Sequence, residues 1–92
     1  MIELLYFSGE HCSVCKVLKP KLLEAVSTQY TEVKVTLIDV AQQQELAAQY
    51  FVFTLPVVII LVEEKEQYRF ARSFSVIEVV VKLERLLRLL EC

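Results

Sequence analysis

Residues 2–20 read IELLYFSGEHCSVCKVLKP, and the fold turns on how this stretch is read. The apolar run at 2–7 (IELLYF) predicts a short buried strand. Ser8-Gly9-Glu10-His11 breaks it, with Gly9 the only glycine of the chain. A helix is then expected from about Cys12 to Tyr30. The unit Cys12-Ser13-Val14-Cys15 therefore falls where a strand hands over to a helix. Unpaired amides and the positive end of the helix dipole favour a thiolate there, and the thiolate is the reactive form of cysteine.

Working outward, residues 33–39 (VKVTLID) alternate β-branched and polar side chains and predict a second strand. Residues 42–50 (QQQELAAQY) are good helix formers. Residues 57–62 (VVIILV) are apolar throughout, as a central strand requires. Glu63 to Glu66 reads as a charged turn, and 67–72 (QYRFAR) as a returning antiparallel strand. The last helix opens on Ser75 and Glu78, which have the spacing of a capping box. Val76, Val79, Val80, Leu83, Leu86, Leu87 and Leu90 share a stripe about 120° wide. Glu78–Lys82 and Glu84–Arg88 are expected i,i+4 pairs on the other side, and Ile77, Val81 and Leu89 are expected at the surface. The order is β-α-β-α-β-β-α in an α/β fold with a mixed four-stranded sheet and helices on both faces. Helical crossovers make the first three strands mutually parallel in this reading, with the hairpin adding an antiparallel edge.

The 92 residues form a single domain. Hydrophobic residues make up 55% of the chain, above the usual share of roughly 45–50%. A formal charge of −2 with interspersed acids and bases gives no electrostatic case for nucleic acid or an anionic membrane. The longest apolar run, Leu55 to Val62, is far too short to span a bilayer. Without a basic region leading into an apolar core and a cleavage site, the expected location is the cytoplasm, provided no N-terminal segment was trimmed.

Three cysteines cannot all pair within one chain. In a reducing compartment a close pair points to catalysis or metal binding before a structural staple. Taking Cys12 as the origin, Val14, Leu18, Leu22, Ala25 and Val26 fall between about 200° and 320°, and Cys15 falls inside that stripe. Cys12 is therefore the expected exposed, attacking thiol and Cys15 the shielded, resolving one. His11, Ser13 and Lys16 are candidate modulators beside them. His11, Cys12 and Cys15 supply at most three metal ligands, whereas a structural zinc site takes four, so no metal or other cofactor is expected. Cys92 reads as an incidental terminal thiol.

These residues resemble the thioredoxin family. Phe7, Glu10, Cys12, Cys15, Lys16 and Pro20 stand like its active-site segment. Glu45-Leu46-Ala47, Tyr50, Val52 and Leu55-Pro56 are similar to the stretch leading into its cis-proline. The strand and helix that begin full-length thioredoxins have no counterpart, and the length is closer to glutaredoxins and small archaeal-type thioredoxins. The resemblance implies a cis Pro56 facing the cysteines, with Thr54 and Leu55 offering backbone to an extended substrate. It also exposes departures. Tyr6 stands where the family carries a buried aspartate that assists the resolving cysteine, and His11 where it carries tryptophan. Phe51 and about Arg72 stand where it carries glycines. The paired glycines with which glutaredoxins hold glutathione are missing, which argues against a dedicated glutathione site.

The expected function is thiol–disulfide exchange with protein disulfide substrates through Cys12 and Cys15, regenerated by an unidentified reductant, in a monomer or weak dimer. The competing reading is a partner-binding module with little turnover, motivated by the apolar excess and by Phe51 and Phe53 beside the presumed groove. Both phenylalanines are otherwise expected in the core. A glutathione- or metal-linked variant is the remaining alternative.

Overall fold

A computed structural model describes residues 1–91; Cys92, and the expectation attached to it, lie outside the described residues. The elements are β1 (Ile2–Ser8), α1 (Ser13–Gln29), β2 (Lys34–Asp39), α2 (Gln44–Gln49), β3 (Val57–Val62), β4 (Lys65–Ala71) and α3 (Val76–Glu91). The four strands form one mixed sheet in the order β2-β1-β3-β4. No helix among the described residues is long and apolar enough to cross a membrane.

The apolar runs Leu4–Phe7 of β1 and Val57–Val62 of β3 follow from the central places of these strands. Side chains alternate between the faces of a strand, so a strand covered on both sides must be apolar at every position. Leu4 and Tyr6 of β1, with Val58 and Ile60 of β3, meet Leu18, Leu22 and Val26 of α1 and Val79, Leu83 and Leu86 of α3. The intervening residues, Leu5, Phe7, Val57, Ile59 and Leu61, meet Ala47 of α2 on the opposite face. Each fully buried Leu, Ile, Val or Phe contributes on the order of 1.5–3 kcal/mol relative to exposure.

One topological expectation is overturned. β1 and β2 are parallel, but β3 runs antiparallel to β1. The register shows why. Phe7 pairs with Ile38 near the end of β2 and with Val57 at the start of β3. The chain thus enters β3 at the sheet end where it left β2. A parallel return needs a crossover as long as the strand, and the six residues of α2 advance only about 9 Å.

The helices are capped by their own sequence signals. At α3, the Glu78 amide donates to Ser75 Oγ at 3.2 Å and the Ser75 amide donates to Glu78 Oε2 at 2.6 Å, the reciprocal box its spacing predicts. Glu84 and Arg88 pair at 2.8 Å. Lys82 does not pair with Glu78: the carboxylate is engaged in the cap, and the ammonium lies over the Tyr68 ring, 5.4 Å from its centroid. Leu90, which the stripe expected to be buried, is exposed. In α1 the edge positions of the stripe behave differently from its centre: Cys15, Leu18, Leu22 and Val26 are buried, Ala25 is half-buried and Val14 is exposed.

α2 ends in a Schellman motif. The Val52 amide donates to the Ala47 carbonyl at 2.9 Å and the Phe51 amide to the Ala48 carbonyl at 3.1 Å. The motif requires a left-handed residue, and Phe51 takes that place with φ 55°. The β3–β4 turn is tighter than the charged stretch 63–66 implied. Val62 pairs with Lys65, leaving Glu63 and Glu64 as its two central residues at φ 50° and 69°. A non-glycine residue in the left-handed region costs about 1–2 kcal/mol.

Two stability predictions follow, both read by urea denaturation. Phe51 is 71% exposed, so Phe51→Gly relieves the left-handed strain with little loss of packing and should stabilise the fold by about 0.5–1 kcal/mol after the added unfolded-state entropy. Leu83 is fully buried between α3 and the sheet, and Leu83→Ala should destabilise by about 3 kcal/mol. A midpoint for Phe51→Gly below that of the natural chain would contradict the first.

Candidate active site

β1 delivers the chain to one end of the sheet, and a short turn carries it to α1. The Cys12 amide donates back to the Gly9 carbonyl at 3.2 Å, closing that turn. Cys12 is not the first helical residue but the N-cap of α1, with extended backbone at φ −96° and ψ 99°. Its Sγ accepts the Cys15 amide at 3.2 Å. Sulfur thus occupies the position where a serine or aspartate oxygen ordinarily satisfies a free helix amide. One amide and the dipole of a 17-residue helix both point at this atom, which favours negative charge on it.

Cys12 and Cys15 are joined as a disulfide with their Cα atoms 5.2 Å apart. Their surroundings differ. Cys12 is half-buried, whereas Cys15 is 2% exposed and belongs to the buried face of α1. That is the asymmetry expected of the two positions. His11, Ser13 and Lys16 are exposed around them. Tyr6 lies beneath the helix start, 1% exposed, and its hydroxyl donates to the Cys15 carbonyl at 2.9 Å. Burial pushes the Tyr6 phenol above its ordinary range, because the phenolate would lose its hydration.

The segment before β3 meets the cysteine turn at Leu55. The Leu55–Pro56 bond is cis, Pro56 is buried, and Thr54 and Leu55 are half-buried. The Pro56 carbonyl accepts the Arg72 amide at 3.0 Å, and Arg72, like Phe51, holds a left-handed φ, here 63°. Both positions that resemble family glycines therefore keep the glycine backbone under a bulky side chain. Gly9 is the point on that turn which Leu55 approaches. A Cβ on Gly9 would stand 2.8 Å from Leu55 Cδ1, so the close approach of residue 55 is what the chain's only glycine permits.

Phe51 and Phe53 are not core residues, contrary to expectation. They are 71% and 81% exposed and stand edge to face, with centroids 6.5 Å apart. The Schellman turn forces Phe51 outward, while Val52 between them is buried against α2. Arg69 of β4, which sequence reasoning passed over, fixes the segment. Its guanidinium donates to the Tyr50 carbonyl at 2.6 Å and to the Phe51 carbonyl at 3.4 Å, while Glu66 pairs with it at 2.9 Å. The hydrogen bond from Arg69 holds the Glu66 carboxyl below its ordinary range. A second feature missed in the sequence is an apolar groove between the starts of α1 and α3, lined by Ser13, Val14, Val17, Phe74, Val76 and Ile77. The helical period marked Val14 as buried and Ile77 as scattered surface. Only the packing of α1 beside α3 brings them to one groove.

Comparison with known proteins agrees with this geometry. The family model described as Thioredoxin matches residues 2–82. The chain is similar to thioredoxin 1 of Thermosipho africanus TCF52B, at 39% identity and a TM-score of 0.90, covering 98% of this chain and 99% of that one. It is also similar to Fasciola hepatica thioredoxin, at 27% identity and a TM-score of 0.82, over 91% of this chain and 79% of that one. Among curated proteins, the thioredoxin-like protein YdfQ of Bacillus subtilis (strain 168) is 32% identical over 87 residues, 95% of this chain and 77% of YdfQ. A cysteine pair at disulfide distance on this fold is consistent with thiol–disulfide redox chemistry. With the family model spanning all four strands and the first turns of α3, the chain belongs to the thioredoxin family.

Proposed function

We propose that the chain is a thiol–disulfide oxidoreductase acting on protein disulfides, with Cys12 as the attacking and Cys15 as the resolving sulfur. The observation that carries this reading is the asymmetry of the pair: Cys12 Sγ, half-buried, accepts the Cys15 amide at 3.2 Å at the head of α1, and Cys15 is 2% exposed.

In the reduced chain the Cys12 thiolate attacks one sulfur of a substrate disulfide. A mixed disulfide forms, and the other substrate sulfur leaves as a thiolate that takes up a proton. Cys15, having given its proton to solvent, then attacks Cys12 Sγ. The second substrate sulfur departs and the Cys12–Cys15 disulfide closes. Two electrons pass from the dithiol to the substrate, and an external dithiol reductant returns them. An extended substrate segment would pair with the backbone of Thr54 and Leu55 beside Pro56, as in strand addition.

A second reading, a docking module with little turnover, is favoured by one observation. Phe51 and Phe53 form an exposed aromatic pair adjoining the Thr54–Pro56 segment. The two readings differ in turnover. If the oxidoreductase reading holds, catalytic amounts of the chain should accelerate insulin reduction by dithiothreitol; the docking reading predicts no acceleration.

Cys15→Ser should accumulate mixed disulfides with substrate proteins, while Cys12→Ser should accumulate few, as judged on non-reducing gels. Equal trapping by both variants would contradict the division of roles. Gly9→Ala should fold, because the atom it meets is the mobile end of Leu55, yet it should raise KM for a protein disulfide severalfold by displacing Leu55. An unchanged KM would remove Leu55 from the substrate wall.

A further inference from the structure

We propose that Tyr6 is a positioning residue for the Cys12 thiolate, acting through the backbone of Cys15. The proposal rests on the reading of Cys12 as the attacking thiol. Two hydrogen bonds meet at residue 15. Its carbonyl accepts the Tyr6 hydroxyl at 2.9 Å, and its amide donates to Cys12 Sγ at 3.2 Å. The carbonyl and the amide of residue 15 belong to neighbouring peptide planes hinged at its Cα, so a fixed carbonyl restrains the helix turn that aims the amide at the sulfur.

The helix needs this outside tie because of its own sequence. Pro20 lies within α1, offers no amide and crowds the carbonyl four residues earlier. That carbonyl belongs to Lys16, so the turn carrying the cysteines is joined to the rest of α1 by one bond fewer. Tyr6 ties the adjacent carbonyl, that of Cys15, to β1. In the oxidised chain the disulfide also restrains residues 12 and 15. Once it is reduced, the tie to β1 carries more of the restraint, and this is the state in which Cys12 must be a thiolate.

Tyr6 exerts this effect as a fixed donor rather than as a base. Burial keeps its phenol protonated through the range in which a thiol titrates. No charged side chain is buried among the described residues, so no buried carboxylate stands beside the phenol. The charged groups bordering the cysteine cleft are Glu10 before Cys12, Lys16 and Lys19 on α1, and Asp39 at the end of β2. His11 adjoins Cys12 in sequence, and Arg72 is bonded to Pro56. Tyr6→Phe changes none of them.

The test is the pH profile of iodoacetamide alkylation of the reduced chain, with peptide mapping to identify the sulfur that reacts. Tyr6→Phe should move the midpoint of Cys12 reactivity upward by about half a pH unit, roughly a threefold loss of rate below the midpoint, with the high-pH plateau unchanged. Ile60→Val, a core change on the same sheet face, should leave the profile in place although it lowers stability. Tyr6→Phe/Pro20→Ala, which restores the missing amide, should return the midpoint toward that of the natural chain. Repeating the series in the Phe51→Gly background offsets any stability lost. Superimposable profiles for the natural chain and Tyr6→Phe, with Cys12 the reacting sulfur, would overturn the tether and leave the functional reading standing. Preferential reaction of Cys15 in the natural chain would overturn both.

Discussion

At the head of α1 a sulfur does the work of a capping oxygen, and the rest of the molecule is arranged around that contact. Cys12 Sγ receives the Cys15 amide at 3.2 Å only because β1 ends at Ser8 and a turn closed on the Gly9 carbonyl brings Cys12 to the helix axis. The turn is supported in its place because β1 is a central strand, paired with β2 and β3 and packed on both faces. A cap is a modest interaction, about 1 kcal/mol in its ordinary form. Its importance here is chemical: the group that stabilises the helix end is the group on which charge would develop.

Much of this was legible from residues alone, wherever the signal was local. The apolar runs of β1 and β3, the Ser75–Glu78 box and the strand-to-helix position of the cysteines depend on neighbours within a few residues. The direction of β3 was not legible, because it depends on whether α2 is long enough to cross the sheet, and the favourable composition of 42–50 overstated a helix of six residues. The contacts Tyr6–Cys15, Arg69–Tyr50 and Gly9–Leu55 are equally silent in the sequence, since each joins separate elements through a single pair of groups. Gly9 carried one usable signal: a lone glycine beside a reactive pair marks a close approach.

Phe51 and Arg72 show the resemblance and the physics meeting at one point. The resemblance read in the sequence implies glycine at or near both positions, and both adopt the left-handed backbone that favours glycine. The fold has kept the backbone and accepted the side chains. At Phe51 the result is an exposed aromatic pair beside the cis-proline segment, anchored by Arg69 rather than by burial.

The central claim, that the environments at the head of α1 separate two sulfurs into different roles, is tested most directly by ultraviolet titration of thiolate absorbance in the reduced chain carrying Cys92→Ser, comparing the Cys12→Ser and Cys15→Ser variants of that background with the intact pair. The account predicts two steps, one below the ordinary thiol value of about 8.5 that vanishes with Cys12 and one above it that vanishes with Cys15. A single unresolved step near 8.5, removed in equal parts by the two variants, would contradict it.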